Sequence, residues 1–408
     1  MATTQTELDT PAPPVVEPEP QETQNRSPTR WIWRGVLAAF GAVLLIAGWS
    51  YVHALTAPGT DSASVRSIEW LRDHGGSGVV NAVERWWYSH HQPKKGGPPP
   101  AVLTHPPTTA PRPIAAATPA PQLAMHHLPA PSPIVPFATE PVPGEGVWHP
   151  VGRLVDGVPA VYATALRPDP LHTGLAAGLA WVDPSLVRTD LFAGVRAPGG
   201  SWAHEAPVPL SERPSLIAAF NSGFQLNASR GGYYAEGRTV RPLINGAASL
   251  VVDSAGRPNV AVWGRDVQMN PSVASVRQNL ALIVDNGAPV AGLDQNVRGQ
   301  WGSTLGNSVF VWRSGVGVTR DGALVYAAGN GLSVSSLARI LVAAGAVRAM
   351  ELDINSEWTH FFTYDAPDPT QPAVLTGTKL VPDMRASPTL YLQAESRDFF
   401  ALFSRATP

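Results

Sequence analysis

The chain has 408 residues, a net charge of −2, 42 prolines and no cysteine. The near-neutral charge excludes a strongly basic surface for nucleic acid, and the lack of cysteine excludes disulfides, thiolate metal sites and a cysteine nucleophile. Hydrophobic runs are scarce before Gly146 and frequent after it, so one large folded domain over 147–408 is expected where length alone suggests two or three.

Residues 1–30 are polar and proline-rich and read as a disordered cytoplasmic tail. Gly35 to Val52 is uncharged and nearly all apolar, and with its flanks the segment 31–55 reaches the roughly 20 residues that cross a bilayer core. Trp31, Trp33, Trp49 and Tyr51 mark its ends, and Arg26, Arg30 and Arg34 precede it. This pattern predicts a single-pass membrane helix, with the N-terminus cytoplasmic and the C-terminal domain extracellular. A cleaved signal peptide is the alternative, and the length of the tail before the apolar run argues against it.

In 62–91, Ile68, Leu71, Val79, Val80, Val83, Trp86 and Trp87 recur at helical spacing around Gly75-Gly76-Ser77-Gly78. The pattern predicts two short amphipathic helices joined by a glycine hinge. Trp86, Trp87 and Tyr88 fit a contact with a membrane surface or a partner helix, and fit a plain juxtamembrane collar equally well. The stretch 92–146 is rich in proline, alanine and threonine, which favours a disordered stalk of polyproline II character at about 3.1 Å per residue.

From Val147 short β-type runs alternate with turn residues: Ala160 to Ala165, Ser215 to Phe220, Ala248 to Val252, Val260 to Trp263, Leu280 to Val284, Ser308 to Trp312, Gly315 to Thr319 and Ala323 to Ala328. One helix is clear, Ser333 to Ala344, with Ser333 as N-cap and Gly345 as the stop, and a strand Ala346 to Ile354 follows. Hairpin-length strands with few helices predict an α+β domain of mixed, mostly antiparallel sheets. Gly329-Asn330-Gly331 imitates the start of a dinucleotide fold, but Val334 stands where a third glycine or alanine belongs. No nucleotide cofactor is expected.

Three places carry chemistry. On a strand, Glu351, Asp353 and Asn355 of the run Ala349 to His360 share one face, and two carboxylates there need arginine partners or a solvated cleft. Asn221-Ser222-Gly223 ends an apolar strand, where Asn donates and accepts and glycine permits close backbone approach. Arg313 interrupts a β run beside Gly315 and Gly317 and suits a bidentate clamp on a carboxylate or phosphate. Thr319 to Gly322 reads as a hairpin turn. Each place also has a purely structural reading, as a turn or a paired carboxylate. The histidines are too scattered to nominate a metal site.

At these places, and in the same order, the sequence resembles the phosphodiester glycosidase family. That family's Asn-Gly-Gly-Phe-Phe is similar to Asn221-Ser222-Gly223-Phe224-Gln225, and its Arg-Thr-Ala-Ile-Gly to Arg313-Ser314-Gly315-Val316-Gly317. Its Leu-Asp-Gly-Gly-Gly-Ser resembles the run from Leu352 to Glu357 in Leu and Asp only. The resemblance implies a hydrolase acting on a sugar-1-phosphodiester, here in an envelope glycopolymer. Asp353, Arg313, Asn221 and Glu351 would take catalytic roles, and Ser222, Gly223, Gly315, Gly317, Asn355 and Glu357 would bind substrate. Ile354, Asn355 and Ser356 replace three glycines, so a second expectation stands beside the first: a non-catalytic polysaccharide-binding protein of the cell envelope.

Overall fold

The computed structural model describes residues 28–104, 112–113, 127–295, 299–302, 304 and 309–405. The tail before Pro28 and most of the proline-rich stretch between 105 and 126 lie outside them. The chain divides into two compact units, 1–55 and 56–408.

In the first unit, helix α1 (Pro28–Thr56) contains the stretch Trp31–Thr56, whose mean hydropathy is 1.9. At 1.5 Å per residue that stretch is about 39 Å long, enough to cross a bilayer. Its side chains from Trp31 to Trp49 are largely exposed. Length and composition alone suit an anchor or a signal sequence.

In the second unit, α2 (Ala63–Leu71) begins at Ser62, whose hydroxyl accepts the Val65 amide, and α3 (Ser77–His90) follows a kink at Gly75, where φ is +84°. The two helices and their hinge are therefore as expected. The collar is bonded to the domain: Thr60 Oγ1 donates to Glu395 Oε2 at 2.6 Å, and Ser396 Oγ donates to Asp61 Oδ1 at 3.1 Å. Arg66 pins the approach to α2 by donating to the carbonyls of Gly59 and Asp61. Parts of the proline-rich stretch also lie along the domain. The Gly96 amide donates to the Leu171 carbonyl at 2.7 Å, and the Leu128 amide to Asp183 Oδ2 at 2.7 Å. A short helix, α4 (Ala101–Thr104), falls in the same stretch.

Three sheets are present among the described residues. The nine-stranded sheet runs, in spatial order, Arg112–Pro113, His149–Val155, Val158–Leu166, Ala177–Val182, Leu324–Leu332, Val311–Thr319, Ala346–Glu351, Leu282–Asp285 and Ala288–Pro289. All its pairings are antiparallel except the first. A five-stranded sheet contains Thr376–Lys379, Phe361–Asp365, Leu216–Asn221, Phe399–Ser404 and Val187–Phe192, and another contains Pro258–Val262, Ala248–Asp253, Val273–Gln278, Tyr233–Ala235 and Arg238–Arg241. The domain is thus α+β with mostly antiparallel sheets.

The central strands of the large sheet are covered on both faces. Val316, Val318 and Tyr326 pack with Phe220, Phe361 and Phe400, while Val325 and Ala327 pack under Leu337, Ile340 and Leu341 of α5 (Val334–Ala343). Helix α5 starts at the Ser333 cap, and Gly345 follows its end at φ +92°. Burial on both faces explains why these strands read as continuous apolar runs instead of alternating ones.

Several boundaries differ from expectation for physical reasons. Val311–Thr319 is one strand where two were expected, because the Arg313 charge is neutralised inside the sheet by Glu351 and does not break it. Leu324–Leu332 runs through Gly329 to Gly331, so these residues form no phosphate-binding turn. Ala346–Glu351 stops three residues before Ile354, and the chain beyond it turns. Gly315 and Gly317 are packing positions, not ligand contacts. A Cβ on Gly315 would lie 3.1 Å from Leu341 Cδ1 and 3.1 Å from the Met350 carbonyl, and one on Gly317 would lie 2.8 Å from the Arg348 carbonyl.

Candidate active site

The segments singled out in the sequence meet where strands Leu216–Asn221, Val311–Thr319 and Ala346–Glu351 end. Asn221 is buried and bonded through both ends of its amide: its Nδ2 donates to Ser314 Oγ at 3.2 Å, and its Oδ1 accepts from Tyr326 Oη at 2.9 Å and from the His360 amide at 3.2 Å. Ser314 Oγ also accepts the Asp353 amide at 3.2 Å, so one hydroxyl ties Asn221 to Asp353. Main-chain bonds from Ser314 to Asp353 and from Leu352 to Ser314, each 2.8 Å, continue the strand pairing past Glu351 and fix where Asp353 sits.

A second set of bonds holds the turn after Asn221. Gly223 has φ +144°, and a Cβ there would lie 3.1 Å from Asn279 Cγ, so glycine is required on both counts. Asn279 Nδ2 donates to the Leu352 carbonyl at 2.9 Å and its Oδ1 accepts the Phe224 amide at 3.3 Å. Ser222 Oγ donates to Asp398 Oδ2 at 2.7 Å, and Arg277 Nε donates to the same oxygen at 2.6 Å. Ser222 and Gly223 therefore shape the site through the protein itself.

Asp353 is the carboxylate at the centre. Its Oδ1 accepts the Asn355 amide at 3.0 Å, and Arg397 Nη1 donates to its Oδ2 at 3.1 Å. Burial pushes its pKa up to about 6, with Arg397 and the turn amides opposing. The Arg397 guanidinium lies over the Trp358 ring at 3.6 Å from the centroid, and its Nη2 is 3.5 Å from Glu69 Oε1 of helix α2. Gln225 Nε2 donates to that same Glu69 oxygen at 2.7 Å, and Arg196 Nη1 is 3.9 Å from its Oε2. A carboxylate from the collar thus sits against two arginines and an amide, one guanidinium away from Asp353.

Arg313 does not face this opening. It is buried, Nη1 is paired with Glu351 Oε1 at 2.5 Å, and Nε donates to the Leu332 carbonyl at 2.8 Å. Its donors are spent inside the sheet, so it is not available as a clamp for a substrate phosphate, and that expectation is corrected. Glu351 is equally buried, and burial raises its pKa to about 7 against the pull of Arg313, with the neighbouring Asp353 charge adding to the rise. Asn355 and Glu357 stand in turns: Asn355 Oδ1 accepts the Glu357 amide at 2.9 Å, and Arg385 Nη1 donates to Glu357 Oε1 at 2.9 Å. No cluster of side chains suited to a metal ion occurs among the described residues.

Residues 215–359 match the family model for the phosphodiester glycosidase. That segment is similar to the phosphodiester glycosidase family. The match opens on the strand that carries Asn221 and closes just beyond Asp353, so it spans the bonded motif segments and leaves out Arg397 and the collar. A comparison with curated proteins finds no match. Among solved structures, the catalytic domain of zebrafish N-acetylglucosamine-1-phosphodiester alpha-N-acetylglucosaminidase, auto-inhibited by its pro-peptide, aligns at 13% identity and a TM-score of 0.39. The alignment covers 69% of this chain and 97% of that one. A hypothetical protein from Synechocystis aligns at 13% identity and a TM-score of 0.35, covering 63% and 64%. The likeness to the family rests on the family model.

The sequence motifs contain Asn221, Ser314 and Asp353, while Asn279 and Tyr326, and Glu69 and Arg397 outside the matched segment, stand in none of them. Tyr326 had a signal, a hydroxyl in the middle of an apolar strand that needs a buried partner. Arg397, 44 residues beyond Asp353, had none.

Proposed function

We propose that this protein is a membrane-anchored, extracytoplasmic hydrolase that cleaves the bond between a sugar's anomeric carbon and a phosphodiester, with an envelope glycopolymer or glycosyl phosphodiester as substrate. The observation that carries the reading is Arg397 bridging Asp353 and the Glu69 carboxylate, which sets an anion seat beside a carboxyl group whose pKa lies near neutrality. Arg397 binds the phosphodiester anion in the place Glu69 now occupies, with Arg196 and Gln225 beside it. Guanidinium donors suit phosphate oxygens and stabilise the charge that grows as the bond breaks.

Asp353 acts at the anomeric carbon, as base toward a water or as nucleophile. Either way the anomeric C–O bond breaks and a phosphate monoester leaves. A phosphate monoester has a second pKa of about 6, so it departs without a strong general acid. One reactive carboxylate is therefore enough, while Glu351 and its Arg313 stay beneath as a buried pair. The apolar helix α1 serves as the anchor, its preceding arginines keeping the tail in the cytoplasm.

The test is turnover of a sugar-1-phosphodiester reporter by the full-length chain in detergent. Asp353→Asn abolishes release, and unchanged release by that variant would refute the assignment. The second reading, a polymer-binding protein without turnover, is favoured by Ile354, Asn355 and Ser356, whose turn carries side chains where the family has glycines. In that case the wild-type chain retains wall polymer and releases nothing.

A further inference from the structure

Helix α3 is tied to the domain on either side. Before it, Glu69 of α2 lies 3.5 Å from Arg397 and accepts from Gln225 at 2.7 Å, and after it the Gly96 amide donates to the Leu171 carbonyl at 2.7 Å. Within it Val80 is buried. Even so, Val79, Val83, Trp86 and Trp87 are between 52% and 63% exposed. Val79, Val83 and Trp86 recur at steps of four and three, so they form one apolar stripe along the helix, with Trp87 at its edge. The histidines one turn on pack against the indoles: the His90 ring lies 5.0 Å from that of Trp86, and His91 stacks on Trp87 at 3.7 Å. Each of these histidines donates from Nδ1 to the carbonyl of its tryptophan, at 2.7 and 2.8 Å, which fixes the pairs on the helix.

Three features select a lipid surface as the occupant of this stripe. The first is chain length. Thr60, which donates to Glu395 of the domain at 2.6 Å, stands four residues past Thr56, the last residue of α1, and four residues of extended chain reach at most about 14 Å. Whatever the angle at which span and domain meet, the domain at Thr60 stays within that reach of the end of the span. The proline-rich stretch adds no height, because Gly96 and Leu128 are bonded back to Leu171 and Asp183. The second feature is composition: an indole favours the headgroup level, where its ring is buried and its N–H stays wet. The third is charge. Lys94 and Lys95, both exposed, follow α3 and suit the phosphates of anionic lipids.

We infer that α3 lies in the outer headgroup layer of the bilayer that α1 crosses, with Val79, Val83, Trp86 and Trp87 inserted among the lipids. The domain then rests on the membrane and is not raised from it by a stalk. The inference rests on the reading of α1 as the anchor. An interfacial helix buries its apolar face by about 5–10 Å, a depth that the tether at Thr60 permits.

The chain has no cysteine, so a single introduced cysteine carries a spin label alone. The test reconstitutes the full-length chain in vesicles of phosphatidylcholine and phosphatidylglycerol. The label is placed through Val83→Cys or Val79→Cys on the stripe, Val43→Cys in α1, and Arg320→Cys on an exposed turn of the domain. Oxygen concentrates in lipid and a nickel chelate stays in water, so the ratio of access to the two reports depth. At Val83 and Val79 that ratio exceeds the one at Arg320 by roughly tenfold, and Val43 gives the highest ratio. Stripe positions that match Arg320 while Val43 reads as lipid would overturn the inference and leave the anchor standing. Val43 in water would overturn the anchor reading, and this inference with it. Low access to both reagents at the stripe would mean that protein covers it, a second copy if labels on different chains couple, and would also overturn the inference.

Discussion

Replacing Glu69 by Gln tests the anion seat from the side of its resident occupant. In the wild type an incoming anion must displace a carboxylate held 3.5 Å from Arg397 and 3.9 Å from Arg196. Coulomb's law at an effective dielectric of 20 gives about 5 kcal/mol for unit charges 3.5 Å apart. That gross figure does not survive solvent: Glu69 and Arg397 keep 20% and 15% of their side-chain exposure and Arg196 keeps 44%, so screening and desolvation remove most of it. A net of about 1–2 kcal/mol remains, and Glu69→Gln therefore tightens dimethyl phosphate binding roughly 5- to 30-fold. Calorimetric titration of both full-length forms at low and high salt measures this directly. The gain shrinks as salt screens the charges. Unchanged or weaker anion binding in Glu69→Gln would show that the carboxylate does not occupy the substrate's place.

Turnover rises with pH through about 6 as Asp353 loses its proton, and a rate already flat from pH 4 upward would contradict its role. Stability runs the other way. Asp353 and Glu351 have folded pKa values of about 6 and 7, above their ordinary ones of 3.8 and 4.5, so the folded state holds the extra protons. Their contribution falls as pH rises from about 4 to 7, and urea unfolding of Asp353→Asn shows a shallower loss over that window. Arg313→Met removes the charge that holds the Glu351 pKa down, so Glu351 takes a proton and is left without its hydrogen-bond partner, and unfolding midpoints report a loss of about 1–3 kcal/mol, against little loss if Arg313 were an open clamp. Gly317→Ala forces a methyl to 2.8 Å from a backbone carbonyl and lowers stability by about 1–3 kcal/mol.

Local signals in the chain were legible where they were short-range. The Ser333 cap and Gly345 delimited α5, and the glycine hinge placed the two collar helices. Asn221 and Asp353, 132 residues apart, stood out because each ends an apolar run with a polar group, and the structure joins both to Ser314 Oγ. Phe399–Ser404 went unread, since an apolar run without alternation does not declare itself a strand. Arg313 was misplaced for a related reason: a charge within a β run looks exposed until a partner such as Glu351 on the neighbouring strand is known. Arg397 and Glu69 had no local mark, because their meaning comes only from α2 lying on the loop that follows Glu395.

Isotope incorporation from labelled water addresses the central claim most directly. During hydrolysis of a sugar-1-phosphodiester in ¹⁸O water by the full-length chain, attack at the anomeric carbon puts the label in the sugar's anomeric hydroxyl and none in the phosphate. Label in the phosphate would mean that the P–O bond breaks and that Asp353 does not act at carbon. Absence of turnover altogether would leave the domain as a binding protein.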